Sequence, residues 1–149
     1  MDVKLRPDSL DGPVTALAFD FGTQRIGVAA GQSLTGTAQA VAVLKANEGK
    51  PRWEQVEELI TQWKPDLFVV GLPYNMDGSD SELLALAVKF GNRLSGRFNL
   101  PWYGMDERLS SREAMEELDP PSPCKKRKAI DDVAARIILQ NWFAELQAC

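Results

Sequence analysis

The stretch that decides the fold runs from Val14 to Leu44 and reads VTALAFDFGTQRIGVAAGQSLTGTAQAVAVL. Val14 to Asp20 is short, mostly apolar and β-compatible, and it ends in a carboxylate followed by Gly22. Ile26, Val28 and Ala30 alternate with smaller residues, which predicts a second strand. Ala38 to Leu44 predicts a third. The links between them are short and carry Gly22, Gly31 and Gly36, so the three strands form an antiparallel meander.

Downstream the periodicity changes. Trp53, Val56, Leu59, Ile60 and Trp63 fall at helical spacing after Pro51, an amphipathic helix. Lys64-Pro65 stops it. Asp66 to Leu72 (DLFVVGL) is then too short for a helix and apolar throughout, as expected of a strand buried on both faces. Ser79 and Glu82 have capping-box spacing ahead of a helix face at Leu83, Ala87, Phe90 and Leu94. Leu100 to Asp106 (LPWYGMD) predicts a fifth strand, with Trp102 and Tyr103 as core or sheet aromatics. Ser110 and Glu113 repeat the capping-box spacing before a short acidic helix, and Asp119 to Pro123 (DPPSP) breaks the chain. Ile130, Ala134, Ile137, Ile138, Trp142 and Leu146 mark a long C-terminal helix. A meander followed by strand–helix alternation predicts an α/β fold: a five-stranded mixed sheet, three antiparallel strands first, with helices on both faces. Residues 1–13 read as a flexible tail, and 14–149 as a single domain.

The composition narrows the chemistry. With 149 residues the chain can bury a proper core. A net charge of −4 argues against gripping nucleic acid by bulk positive charge, although local basic patches are compatible with it. The absence of histidine excludes Ser-His-Asp and Cys-His triads, His-ligated zinc and any imidazole base. Cys124 and Cys149 have no metal-binding spacing. No secretory or membrane-spanning run is expected, and a cytoplasmic protein with reduced thiols is.

Carboxylates are what remain for hydrolytic chemistry. Asp20 closes the first strand, and in open α/β sheets ligands gather at the carboxyl ends of strands. Asp106 and Glu107 close the fifth. Asp131 lies on the C-terminal helix, and Ala135, Ile138 and Trp142 continue its face. A charge on the apolar side of a helix is costly unless paired or bound to metal. Converging carboxylates need a cation between them, and oxygen-only ligands favour Mg²⁺ or Mn²⁺. Such ions would supply what histidine otherwise does in phosphodiester hydrolysis. Lys125, Lys126, Arg127 and Lys128 precede Asp131 as a basic run, read either as a solvated loop or as a phosphate-backbone clamp, with Arg25 and Arg108 as further clamp candidates. Asp20-Phe21-Gly22-Thr23 also fits a nucleotide-binding phosphate loop. The chain holds only one such loop, which weakens that reading.

At five of these stretches the chain resembles the YqgF (RuvX) family of RNase H-like proteins, described as Holliday junction resolvases and as pre-16S rRNA nucleases. They are ALAFDFGTQRIGVAAG (Ala16 to Gly31), PDLFVVGLPYNMDGS (Pro65 to Ser79), KFGNRLSGRF (Lys89 to Phe98), DERLSS (Asp106 to Ser111) and KAIDDVAARIILQ (Lys128 to Gln140). The resemblance implies an RNase H-like fold and a metal-dependent nuclease. It implies metal ligands and catalytic residues at Asp20, Glu107 and Asp131, with Asp106 the alternate to Glu107. Structured RNA, ribosome precursors and branched DNA are the partners it implies. Related junction resolvases carry a Glu where this chain has Gly71, so the DER motif must supply that ligand. That gap leaves room for a non-catalytic nucleic-acid-binding or ribosome-assembly factor.

Overall fold

The computed structural model describes residues 12–73, 82–106 and 126–147, together with Pro7. The tail, the Ser79 cap, the acidic helix after Ser110 and the DPPSP break lie outside the described residues, apart from Pro7, Gly12 and Pro13 of the tail.

The meander forms as the alternation requires. Strand β1 (Thr15–Asp20) is antiparallel to β2 (Arg25–Gln32), and β2 is antiparallel to β3 (Thr37–Asn47). The β2–β3 turn closes at Gly36, whose φ is 66° and whose N–H donates to the Gln32 carbonyl at 3.0 Å. Strand β3 outruns the expected apolar stretch by three residues, Lys45, Ala46 and Asn47. It then turns through Glu48 (φ 52°) and Gly49 (φ 81°) into a two-residue strand, β4 (Lys50–Pro51). The sheet is therefore six-stranded, in the order β4-β3-β2-β1-β5-β6. A lysine and a proline have no strand periodicity to read, which is why the sequence suggests five. Strands β5 (Leu67–Leu72) and β6 (Trp102–Asp106) run parallel to β1, as the long crossovers before each demand.

Side chains alternate across this sheet and divide the core in two. Leu17, Phe19, Phe68 and Val70 face α1 (Trp53–Trp63) and α2 (Glu82–Phe98). Phe19 packs edge-on against Phe68 and Phe90, with ring centroids 5.9 and 5.4 Å away. Ala16, Ala18, Leu67, Val69, Tyr103 and Met105 face the C-terminal helix α3 (Lys126–Gln147), which returns Ile138, Leu139, Trp142 and Phe143. Tyr103 stacks on Trp142 at 5.7 Å, and Trp102 donates its indole N–H to Asn92 at 3.0 Å, so both aromatics are sheet residues as expected. Lys126, Arg127 and Lys128 form the start of α3 and not a loop ahead of it. No described helix is long and apolar enough to cross a membrane.

Candidate active site at the carboxyl end of the sheet

Asp20 is the last residue of β1, paired with Gly27 of β2 and half-buried. It has the parity of Ala16 and Ala18, so it falls on the α3 face of the sheet. The segment after it is pinned. The Thr23 carbonyl accepts the Gly49 N–H at 2.9 Å, and the Gln24 carbonyl accepts the Ala46 N–H at 2.8 Å. Phe21 is buried against Phe90, with ring centroids 5.3 Å apart. A Cβ on Gly49 would lie 2.8 Å from the Phe21 ring, and one on Gly22 would lie 2.5 Å from the Arg25 carbonyl oxygen. Only glycine fits at either place. The extra length of β3 and the turn after it thus hold the Thr23–Gln24 segment that follows Asp20, a support that the hydropathy pattern gave no sign of.

Asp106 closes β6 at the same end of the sheet. Phe19 pairs with Val70 and Gly71 with Met105, so Asp20 is two strands away from β6, about 10 Å between chains at ordinary strand spacing. Tyr103 and Met105 face α3, whereas Trp102 packs toward α1 and α2. Asp106 has the parity of Trp102. The two acids therefore share an end of the sheet but not a face. Gly71 lies between Asp20 and Met105 on the α3 face and contributes no side chain there.

Glu107, Arg108 and Lys125 lie outside the described residues, as do the side chains of Lys126, Arg127, Lys128 and Asp131. Among the described residues no three acids or cysteines converge. Arg25 is exposed at the start of β2, beside the segment that follows Asp20. Its cross-strand partner is Lys45 of β3, a cation that the sequence pattern left unremarked because it lies past the apolar run. The two cations placed opposite one another raise the local positive potential at the Asp20 end of the sheet. A cavity of about 360 Å³ lies at the other end of the sheet, lined by Thr15, Gln32, Thr37, Gln39 and Trp63 among others. It holds no ionisable group and is separate from the acids.

Three antiparallel strands, two parallel ones, an acid closing the first strand and a helix packed across the back define the RNase H-like class. Solved structures share this architecture. Thermus thermophilus RuvC, in complex with a Holliday junction substrate, matches with a TM-score of 0.53 at 13% identity, covering 91% of this chain and 97% of that one. Fowlpox virus resolvase, in complex with Holliday junction DNA, matches with a TM-score of 0.54 at 14% identity, over 89% of this chain and 98% of that one. At such identities the likeness is one of fold. Sequence goes further. Residues 14–145 match the profile of the RuvX family, described as Holliday junction resolvase. A protein of Glaesserella parasuis named "Putative pre-16S rRNA nuclease" is 52% identical over 133 residues, 88% of this chain and 96% of that protein. One of the same name from Pseudomonas fluorescens is 52% identical over 132 residues, 87% of this chain and 91% of that protein. The chain belongs to the RuvX family. Membership makes it a nuclease, a hydrolase acting on the ester bonds of nucleic acid.

Proposed function

We propose that the chain is a divalent-metal-dependent nuclease acting on the 5′ end of pre-16S rRNA, with Asp20, Glu107 and Asp131 as its acidic centre. The observation that carries this reading is the position of Asp20: the carboxyl end of the central strand, on the α3 face, paired with β2 and followed by a segment that β3 and its turn pin at Thr23 and Gln24.

Two further features support the other members. A Cβ on Gly31 would lie 3.0 Å from the Phe143 ring, and Gly31 pairs with Ala16, so the late part of α3 lies at the amino end of β1. Asp131 precedes Phe143 by 12 residues, about 18 Å of helix, against about 13 Å of strand from Ala16 to Asp20. The early part of α3 is thus long enough to reach the Asp20 end. Asp131 also stands one turn before Ala135, and Ala135, Ile138, Leu139 and Trp142 form the buried stripe. Asp106 falls with Trp102 on the α1 and α2 face, away from Asp20, and this weighs against it as the member from the DER motif.

The donor chemistry fits a hard cation: every member is a carboxylate, and the chain has no histidine. When bound, Mg²⁺ or Mn²⁺ would lower the pKa of a water and neutralise charge on the phosphate. The protein's own share is positional. Asp20 fixes one edge of the site from the end of a strand paired with β2 and β5. Glu107 fills the role left open at Gly71. Arg25, Arg108 and Lys125, Lys126, Arg127 and Lys128 hold the phosphate backbone beside it, offsetting the acidic surroundings. The reading sets the protein among ribosome precursors in the cytoplasm.

Branched DNA is the second substrate reading, favoured by the family description and by fold neighbours solved on junction DNA. Precursor rRNA, single-stranded RNA and four-way DNA junctions offered with Mg²⁺ or Mn²⁺ separate the two. Cleavage of precursor rRNA, lost in Asp20→Asn while the fold and binding persist, is the expected result. Undiminished cleavage by Asp20→Asn, with contaminating nuclease controlled, would overturn the metal-centre assignment. RNA binding without cleavage by the wild type would favour a non-catalytic assembly factor.

A further inference from the structure

Between Glu82 and Asp106 the chain carries three cations, Lys89, Arg93 and Arg97, and no carboxylate, in a protein whose net charge is −4. All three lie on α2, four residues apart, and all are exposed. Helical geometry sets each about 6 Å further along the axis and turned about 40° from the last, so they form one winding ridge. The ridge runs along the side of α2 that Leu84, Ala87 and Leu94 leave free as they enter the core.

Its direction is fixed by the aromatics beneath. Phe90, the neighbour of Lys89, packs on Phe21 next to Asp20. Phe98, the neighbour of Arg97, packs on Phe68 near the start of β5. Along its axis Lys89 therefore stands toward the end of the sheet that Asp20 closes, on the opposite face from that acid, and Arg97 toward the far end. Arg97 is held in place, with its guanidinium carbon 4.3 Å from the centroid of the Trp53 ring.

A purely structural account covers little of this. Arg97 in the last turn complements the helix dipole and stacks on Trp53. Lys89 and Arg93 do neither. Like charges four residues apart oppose helix formation, and no described carboxylate pairs with Lys89 or Arg93. The neighbouring helix α1 exposes Glu54, Glu57 and Glu58, so the cations are confined to one strip with an acidic boundary. A strip about 12 Å long spans three to four phosphates of one strand at 3.4 Å each.

We propose that Lys89, Arg93 and Arg97 form a second phosphate-backbone track, which carries a duplex arm of the nucleic-acid substrate away from the active site along α2. The proposal rests on the nuclease reading and concerns a surface apart from the acidic centre.

Anisotropy titrations against an RNA hairpin and a four-way DNA junction, in EDTA and across a KCl series, test it. The proteins are wild type, Lys89→Gln/Arg93→Gln and, as an off-track control, Lys64→Gln. Each lost duplex phosphate contact lowers the log–log salt slope by about 0.9, so the double variant should lose about two units of slope while Lys64→Gln matches wild type. The arm that shows the loss identifies whether RNA or DNA lies on the track. Wild-type slope in the double variant for both ligands overturns the track and leaves the nuclease reading intact. Failure of the wild type to bind either ligand overturns both.

Discussion

Replacing Gly49 by alanine should unfold the support behind Asp20, and its effect can be worked from the structure. Gly49 has a φ of 81°, where an L side chain costs about 1–2 kcal/mol. The new methyl would lie 2.8 Å from the Phe21 ring. That ring has no room to yield, being buried with its centroid 5.3 Å from that of the fully buried Phe90. Overpacking of this kind costs about 1–3 kcal/mol. Together the penalty is about 2–5 kcal/mol, a large share of the 5–15 kcal/mol that holds a typical domain together. At about 3 kcal/mol the melting temperature of a chain this size should fall by roughly 6–12 °C. Urea unfolding gives the stability directly, and nuclease activity measured well below the transition reports on Asp20, because Phe21 follows it in the chain. A Gly49→Ala protein with wild-type stability and wild-type cleavage would refute the claim that the β3–β4 turn holds this segment.

Other substitutions test neighbouring parts of the argument. Gly96→Ala, in α2 with no atom within 4 Å of the added methyl, should stabilise by about 0.8–1.0 kcal/mol from helix propensity, and a fall in urea midpoint would contradict it. Gly91→Ala gains the same propensity but drives a methyl to 2.5 Å from the Trp102 ring, which is tied by its hydrogen bond to Asn92. The overpacking should win, for a net loss of about 1 kcal/mol in the same assay. Phe19→Ala, at the crossing of β1 with Phe68 and Phe90, should cost about 3–5 kcal/mol, and a loss below about 1 kcal/mol in urea unfolding would contradict its central place in that core.

The parts of this fold that repeat a period were legible in the sequence. The meander, α1 and the apolar strand β5 follow from alternation, helical spacing and continuous burial, and the resemblance to RuvX proteins agrees with the family match. What escaped was set by tertiary register. Strand β4 is a lysine and a proline paired with the end of β3, with no pattern of its own. The basic run ahead of Asp131, open to reading as a solvated loop or as a backbone clamp, has no apolar period to mark a helix, yet α3 begins at Lys126. Asp106 and Glu107 are equivalent in a one-dimensional reading. Only the pairing of β5 with β6 shows that Asp106 shares a face with Trp102 and that Asp20 lies on the other. The α2 ridge was within reach of sequence alone, since no carboxylate falls between Glu82 and Asp106. Its meaning needed the exposed face and the aromatic contacts that give it direction.

The central claim is that Asp20, Glu107 and Asp131 jointly hold a divalent cation. Mn²⁺ binding, followed by the relaxation of bulk water, tests it most directly across Asp20→Asn, Asp106→Asn, Glu107→Gln and Asp131→Asn, each confirmed folded by circular dichroism. The account expects saturable binding in the wild type and in Asp106→Asn, with large losses in the other three. Binding that survives in Glu107→Gln but disappears in Asp106→Asn would contradict the face assignment, and wild-type binding in Asp20→Asn would contradict the centre itself.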